Sequence, residues 1–186
     1  DYQAVDDPAA QARFEALWET KLDPKPGLNV VEIIDAIHKD EIRGVYIMGE
    51  NPAMSDPNVS HARAALAKLE HLVVQDIFLT ETACYADVVL PASAWPEKDG
   101  TATNSNRQVQ MGRQALQPPG SARQDLWIIQ QMATRMGLDW HYAGPEEVFE
   151  EMRIAMNSIH GMSWQRLLAE DAITYPCATP EDPGQA

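Results

Sequence analysis

Three apolar runs in this chain each lead into side chains equipped for polar recognition. Val45-Tyr46-Ile47-Met48 runs into Gly49-Glu50-Asn51-Pro52. Leu72-Val73-Val74-Gln75-Asp76-Ile77-Phe78 carries an amide and a carboxylate towards its end, and Asp87-Val88-Val89-Leu90 is followed, beyond Pro91, by Glu97-Lys98. Amides both donate and accept, carboxylates only accept, and lysine brings three donors and a full positive charge. Glycine at position 49 lets a ligand approach the backbone, with Glu50 and Asn51 free to bond it, although for a lone G-x-N-P a plain turn is the favoured reading.

The elements that must position these residues follow from periodicity. Short β-branched runs without alternation predict strands covered on both faces, hence a parallel sheet. In open α/β sheets ligands bind beyond the carboxyl ends of the strands, which makes Asn51, Gln75, Asp76 and Lys98 candidates on a single edge. A helix opening at Asp56-Pro57, with Ala62, Ala65, Leu66 and Leu69 inward, links the first two strands as a right-handed βαβ unit. Asp7-Pro8 starts an earlier helix, and Asn29 with Glu32 forms a capping box ahead of Val30, Ile33, Ile34 and Ile37. Gly100 to Gln110 reads as extended or looped. Ser121 is expected to cap a helix with Leu126, Ile129, Ala133 and Met136 inward, and Asp125 in its first turn suits the helix dipole. Gly144-Pro145 opens a helix with Val148, Met152, Ala155 and Met156 inward, and a last helix lies around Trp164, Leu167 and Leu168. Residues 1–174 are read as one α/β domain and 175–186, rich in Pro, Asp and Gly, as a linker towards a further C-terminal domain.

Composition narrows the function. With 186 residues, 45% hydrophobic and 23% charged, the chain is long enough for a real core. A net charge of -14 argues against nucleic acid as a partner. From Lys98 to Arg123, however, four cations (Lys98, Arg107, Arg113, Arg123) face one anion, Asp99, and such a segment suits an anionic small molecule. Cys84 and Cys177 are the only cysteines, too few for a cysteine-held iron-sulfur cluster or zinc site, and Cys84 is expected to pack as a small apolar residue. The five histidines lack metal-ligand spacing. No run approaches the ~20 apolar residues of a membrane span. The acidic opening carries no secretory pattern, which is the profile of a cytoplasmic protein.

Taken in order, Gly49-Glu50-Asn51-Pro52, Val74 to Ala83, Ala86-Asp87-Val88-Val89-Leu90-Pro91, Glu97-Lys98-Asp99-Gly100-Thr101, Thr103-Asn104 and Arg107 resemble the molybdopterin oxidoreductase family. Gln75-Asp76-Ile77-Phe78, Ala133-Thr134-Arg135-Met136-Gly137 and His141-Tyr142 bring the likeness nearer to the catalytic alpha subunits of molybdenum- or tungsten-dependent formate dehydrogenases. The resemblance implies a three-layer α/β fold, a Rossmann-like and mostly parallel sheet flanked by helices, holding one of two molybdopterin guanine dinucleotides. It implies cofactor contacts at Asn51, Gln75, Asp76, Lys98 and Asp125, and so adds a ligand role for Asp125 to the dipole account. It further implies formate oxidation to carbon dioxide in the complete subunit, remaining domains around this one, and electron-transfer subunits beyond. The family's metal-ligating residue, catalytic histidine and arginine, and cluster cysteines have no counterpart here. Neither a catalytic residue nor a metal ligand is therefore assigned, and the isolated chain is expected to be a non-catalytic portion without bound cofactor.

Three other readings compete. The corresponding domain of a nitrate reductase shares the motifs, and a cofactor-free scaffold shares the fold. A free-standing NAD-type domain lacks its G-x-G-x-x-G fingerprint.

Overall fold

Capping side chains set where the first helices begin. In the computed structural model, which describes residues 3–184, Asp7 accepts the Ala9 N–H at 3.0 Å and Pro8 opens α1 (Pro8–Trp18). Asn29 Oδ1 accepts the Glu32 N–H at 3.0 Å while Glu32 Oε2 accepts the Asn29 N–H at 2.8 Å, the predicted capping box of α2 (Val30–His38). The chain forms two compact units, residues 27–94 with 117–132, and residues 1–26 with 95–116 and 133–186.

The first of these units is built on three parallel strands in the order β1 (Gly44–Met48), β2 (His71–Asp76), β3 (Val88–Pro91). Met48 pairs with Gln75, and Asp76 with Pro91, so the three strands end together. The single helix expected between β1 and β2 is two: α3 (Pro52–Ser55) and α4 (Val59–Leu66). Pro57 explains the break, since a residue before proline is driven out of helical conformation, and Asp56 is extended at φ -66°, ψ 134°. Ala53, Leu66, Leu72, Val74 and Ala83 pack with Val45 and Ile47 on one face of the sheet. Ile34, Ile37, Ala62 and Ala65 continue that core between α2 and α4. Coverage on both faces holds for β2, where Leu72, Val74 and Gln75 are buried. Tyr46, Met48, Val88 and Val89 retain exposure between 38% and 48%, because β1 and β3 are the edges of this small sheet.

The helix expected from Ser121 starts later, as α5 (Asp125–Arg135). The residues before it extend the sheet instead. Arg123 bridges Ala92 in parallel, its N–H donating to the Pro91 carbonyl at 3.1 Å and its carbonyl accepting the Ser93 N–H at 2.9 Å. Ile128 is accordingly buried where Leu126 and Ile129 were expected inward, and Met136, beyond the helix end, is exposed. Cys84 sits in a single 3-10 turn, Ala83–Tyr85, and is exposed rather than packed.

The other unit is antiparallel. β4 (Gly100–Thr103) and β5 (Gln108–Gly112) form a hairpin, and β6 (Ala172–Thr174) joins β5. Asn104 Oδ1 accepts the Gln108 N–H at 3.0 Å, and Arg107 closes the turn with φ +67°. Val109, Phe149, Ile159, Met162, Trp164, Leu167, Ile173 and Cys177 form its core, with α6 (Pro145–Ala155) and α7 (Trp164–Glu170) supplying Phe149, Trp164 and Leu167. Phe149 and Ala155 face inward from α6, whereas Met152 is exposed. The Pro-rich stretch after β6 begins by packing: Cys177 is fully buried, donating its N–H to the Ser158 carbonyl at 2.7 Å and accepting the Gly161 N–H at 2.8 Å. Among the described residues, no helix is long and apolar enough to cross a membrane.

Two neighbouring leucines of α7 separate the core from the surface. Leu167 is fully buried and Leu168 is 39% exposed. Leu167→Ala is therefore expected to cost about 2–5 kcal/mol in urea unfolding, through lost transfer energy and a cavity, and Leu168→Ala less than about 1 kcal/mol.

Candidate functional site

The carboxyl end of β1 is fixed first by its backbone. Gly49 has φ +66° and donates its N–H to the Gln75 carbonyl at 2.9 Å. No atom lies within 4 Å of where a Cβ would stand, so the left-handed conformation, and not lack of space, is what calls for glycine. Asn51 then ties the turn after β1 to the loop after β2. Its Oδ1 accepts from the Thr82 N–H at 3.1 Å and from the Thr82 hydroxyl at 2.8 Å, and its Nδ2 donates to Glu81 Oε2 at 2.7 Å. The buried Thr82 Oγ1 accepts the Ala53 N–H at 3.0 Å, which anchors the start of α3 to the same point. The bond from Asn51 favours the charged form of Glu81 and lowers its carboxyl pKa, with a backbone N–H and the Arg63 guanidinium adding to the effect.

On the other face of β2, Gln75 is fully buried with both ends of its amide engaged. The Tyr46 phenol donates to its Oε1, and its Nε2 donates to Asp125 Oδ1 at 2.7 Å. Burial, reinforced by the nearby Asp125 carboxylate, pushes the Tyr46 phenol above its ordinary pKa. Asp76 closes β2 differently: its Oδ1 accepts the N–H groups of Ile77 at 2.7 Å and Phe78 at 3.2 Å. That turn uses one carboxylate oxygen, and a carboxylate has a second that can accept further donors.

Asn51, Gln75, Asp76 and Asp125 thus belong to one unit and cluster at the carboxyl edge of its sheet. Lys98 belongs to the other unit, just after a 3-10 turn at Trp95–Glu97, with its Nζ 5.8 Å from the centre of the Trp95 ring. The basic segment is likewise divided. Lys98, Arg107 and Arg113 lie in that unit, where Arg113 pairs with Asp171 at 2.8 Å, while Arg123 lies in the sheet unit over the Trp127 ring. Sequence reasoning missed Tyr46 and Thr82. The pairing of Met48 with Gln75 sets Tyr46 two residues earlier on the face that Gln75 shares, a signal available only once the register is known.

A parallel α/β sheet with polar side chains at its carboxyl edge has the arrangement of the open α/β proteins, in which ligands bind beyond the strand ends. Residues 8–135 match the molybdopterin oxidoreductase family, and the chain belongs to that family. It is 48% identical over 178 residues to the F420-dependent formate dehydrogenase subunit alpha of Methanocaldococcus jannaschii, covering 95% of this chain and 26% of that protein. Identity is 42% over 185 residues with F420-dependent formate dehydrogenase 1 subunit alpha of Methanococcus maripaludis, covering 98% and 27%. Among solved structures, the acetylene hydratase from Pelobacter acetylenicus shares the fold with a TM-score of 0.67 at 22% identity, over 93% of this chain and 25% of that one. The chain therefore spans about a quarter of the length of these relatives. Family membership implies a molybdopterin cofactor and further domains in the subunit. The carboxylates of Asp76 and Asp125 fit a cofactor that presents hydroxyl and N–H donors, because a carboxylate accepts through both of its oxygens.

Removing the Asn51 amide tests the clamp. Asn51→Ala strands the paired Thr82 groups and is expected to lower stability by about 1–3 kcal/mol in urea unfolding. It is also expected to raise the Glu81 carboxyl pKa in a carbon-detected NMR titration. Because the folded-state value is depressed in the intact protein, the contribution of Glu81 to stability is present above the ordinary carboxylate range. It fades as pH falls through the depressed value.

Proposed function

We propose that this chain is the part of a molybdenum or tungsten formate dehydrogenase alpha subunit that holds one molybdopterin guanine dinucleotide. The observation that carries the reading is the pair of carboxylates, Asp76 at the end of β2 and Asp125 at the start of α5, contributed by distant segments to one sheet edge. The formate dehydrogenase alpha subunits to which the chain is similar supply the substrate class.

Guanine presents two adjacent N–H donors that one carboxylate accepts together, and the ribose presents hydroxyls to the other. Asp76 and Asp125 take these roles between them. Lys98 is the cation for the phosphate or pterin portion, a role carried over from the family motif. Asn51 and Gln75 support the edge from within, since their amides are occupied by Thr82, Glu81, Tyr46 and Asp125. When bound, the cofactor supplies the metal at which formate is oxidised to carbon dioxide, and no residue of this chain is assigned a part in that step. The cofactor-holding part includes Tyr175 and Cys177, which pack in the core of the antiparallel unit. In the full cytoplasmic enzyme, electron-transfer subunits receive the electrons.

Calorimetric titration of the chain with GDP tests the assignment. Binding is expected, with Asp76→Ala and Asp125→Ala each weakening it about tenfold, the loss of roughly one charge-assisted hydrogen bond. Unchanged affinity in both variants would sink the proposal.

A further inference from the structure

A carboxylate reads a ligand well only if it is held still, and Asp125 is tied through the buried Gln75 to the Tyr46 hydroxyl. Gln75 has no exposed surface, so it cannot itself contact a cofactor. Its amide is nonetheless oriented without ambiguity. Asp125 can only accept, so Gln75 must turn Nε2 towards it, at 2.7 Å. That rotation points Oε1 the opposite way, where a buried acceptor needs a donor, and the Tyr46 hydroxyl on the neighbouring strand provides it. We infer that Tyr46 and Gln75 form a positioning relay, running from β1 through β2 to α5, that fixes the Asp125 carboxylate for the guanine or ribose of the cofactor. The inference rests on the nucleotide-holding role of Asp125 proposed above, but its first test does not.

That first test is the ultraviolet absorbance titration of tyrosine in the full chain. Two phenols titrate above the ordinary value, Tyr46 and Tyr142; the one that vanishes in Tyr46→Phe should shift downwards in Asp125→Asn, because its anionic neighbour is gone, while Tyr142, bonded to Glu151, should stay in place. If Asp125→Asn leaves every tyrosine titration unmoved, the relay is absent whatever the chain binds. GDP calorimetry supplies the second test. Tyr46→Phe keeps the ring and is expected to weaken GDP about fivefold, on the scale of one net hydrogen bond. The same substitution in an Asp125→Ala background should change nothing, since its effect passes through that carboxylate. Gln75→Glu should bind poorly at neutral pH, with two carboxylates facing each other, and recover as the pH is lowered and the new acid can donate to Asp125. Equal losses from Tyr46→Phe in both backgrounds would overturn the relay. A normal absorbance result with no GDP binding by the unmodified chain would instead fail the nucleotide assignment and leave the relay as a purely structural device, which also refutes its role towards the cofactor.

Discussion

A buried polar group must find a partner, and at the carboxyl edge of this sheet two such groups dictate the local architecture. Gln75 and Thr82 are both removed from solvent. An unpaired donor or acceptor in that position costs about 1–3 kcal/mol, more than a typical hydrogen bond contributes when made. Thr82 meets the requirement through Asn51 and Ala53, which locks the turns after β1 and β2 together. Gln75 meets it through Tyr46 and Asp125, which draws the start of a helix more than forty residues downstream onto the sheet. Satisfying these two side chains therefore shapes the very edge where acceptors for a ligand are displayed.

Much of this was legible in the residues themselves. The capping box at Asn29 and Glu32, the proline start of α1 and the three parallel strands are local signals, and each carries its cause within a few positions. The strand-end amides and carboxylates were legible for the same reason, because an open α/β sheet exposes its carboxyl edge whatever its sequence. What failed depended on distant pairing. The stretch read as extended or looped is the β4–β5 hairpin, where only Val109 is buried and little alternation marks the strands, whereas β6, unforeseen, acquires its identity from β5. The start of α5 was misread because Arg123 extends the sheet beside Ala92, a contact that no helical periodicity records.

The two candidate amides illustrate how residue type and residue role diverge. Asn51 and Gln75 were chosen as groups able to bond a ligand, and chemically they are. In the folded unit their bonds go to other side chains of the unit, Asn51 clamping a loop and the buried Gln75 bonding an acid. The carboxylates differ because each oxygen accepts more than one bond. Asp76 can close its own turn through one oxygen and still offer the other, and that surplus separates a recognition group from a supporting one.

The two cysteines differ in a way that gives the chain a natural handle. Cys177 is sealed in the core of one unit, while Cys84 stands exposed in the turn that follows the Asn51 clamp. Thiol-directed dyes or spin labels should therefore modify the native protein at a single address, in the turn that begins just after Thr82. The folded chain already contains its own reporter position for watching that turn, with no engineered residue needed.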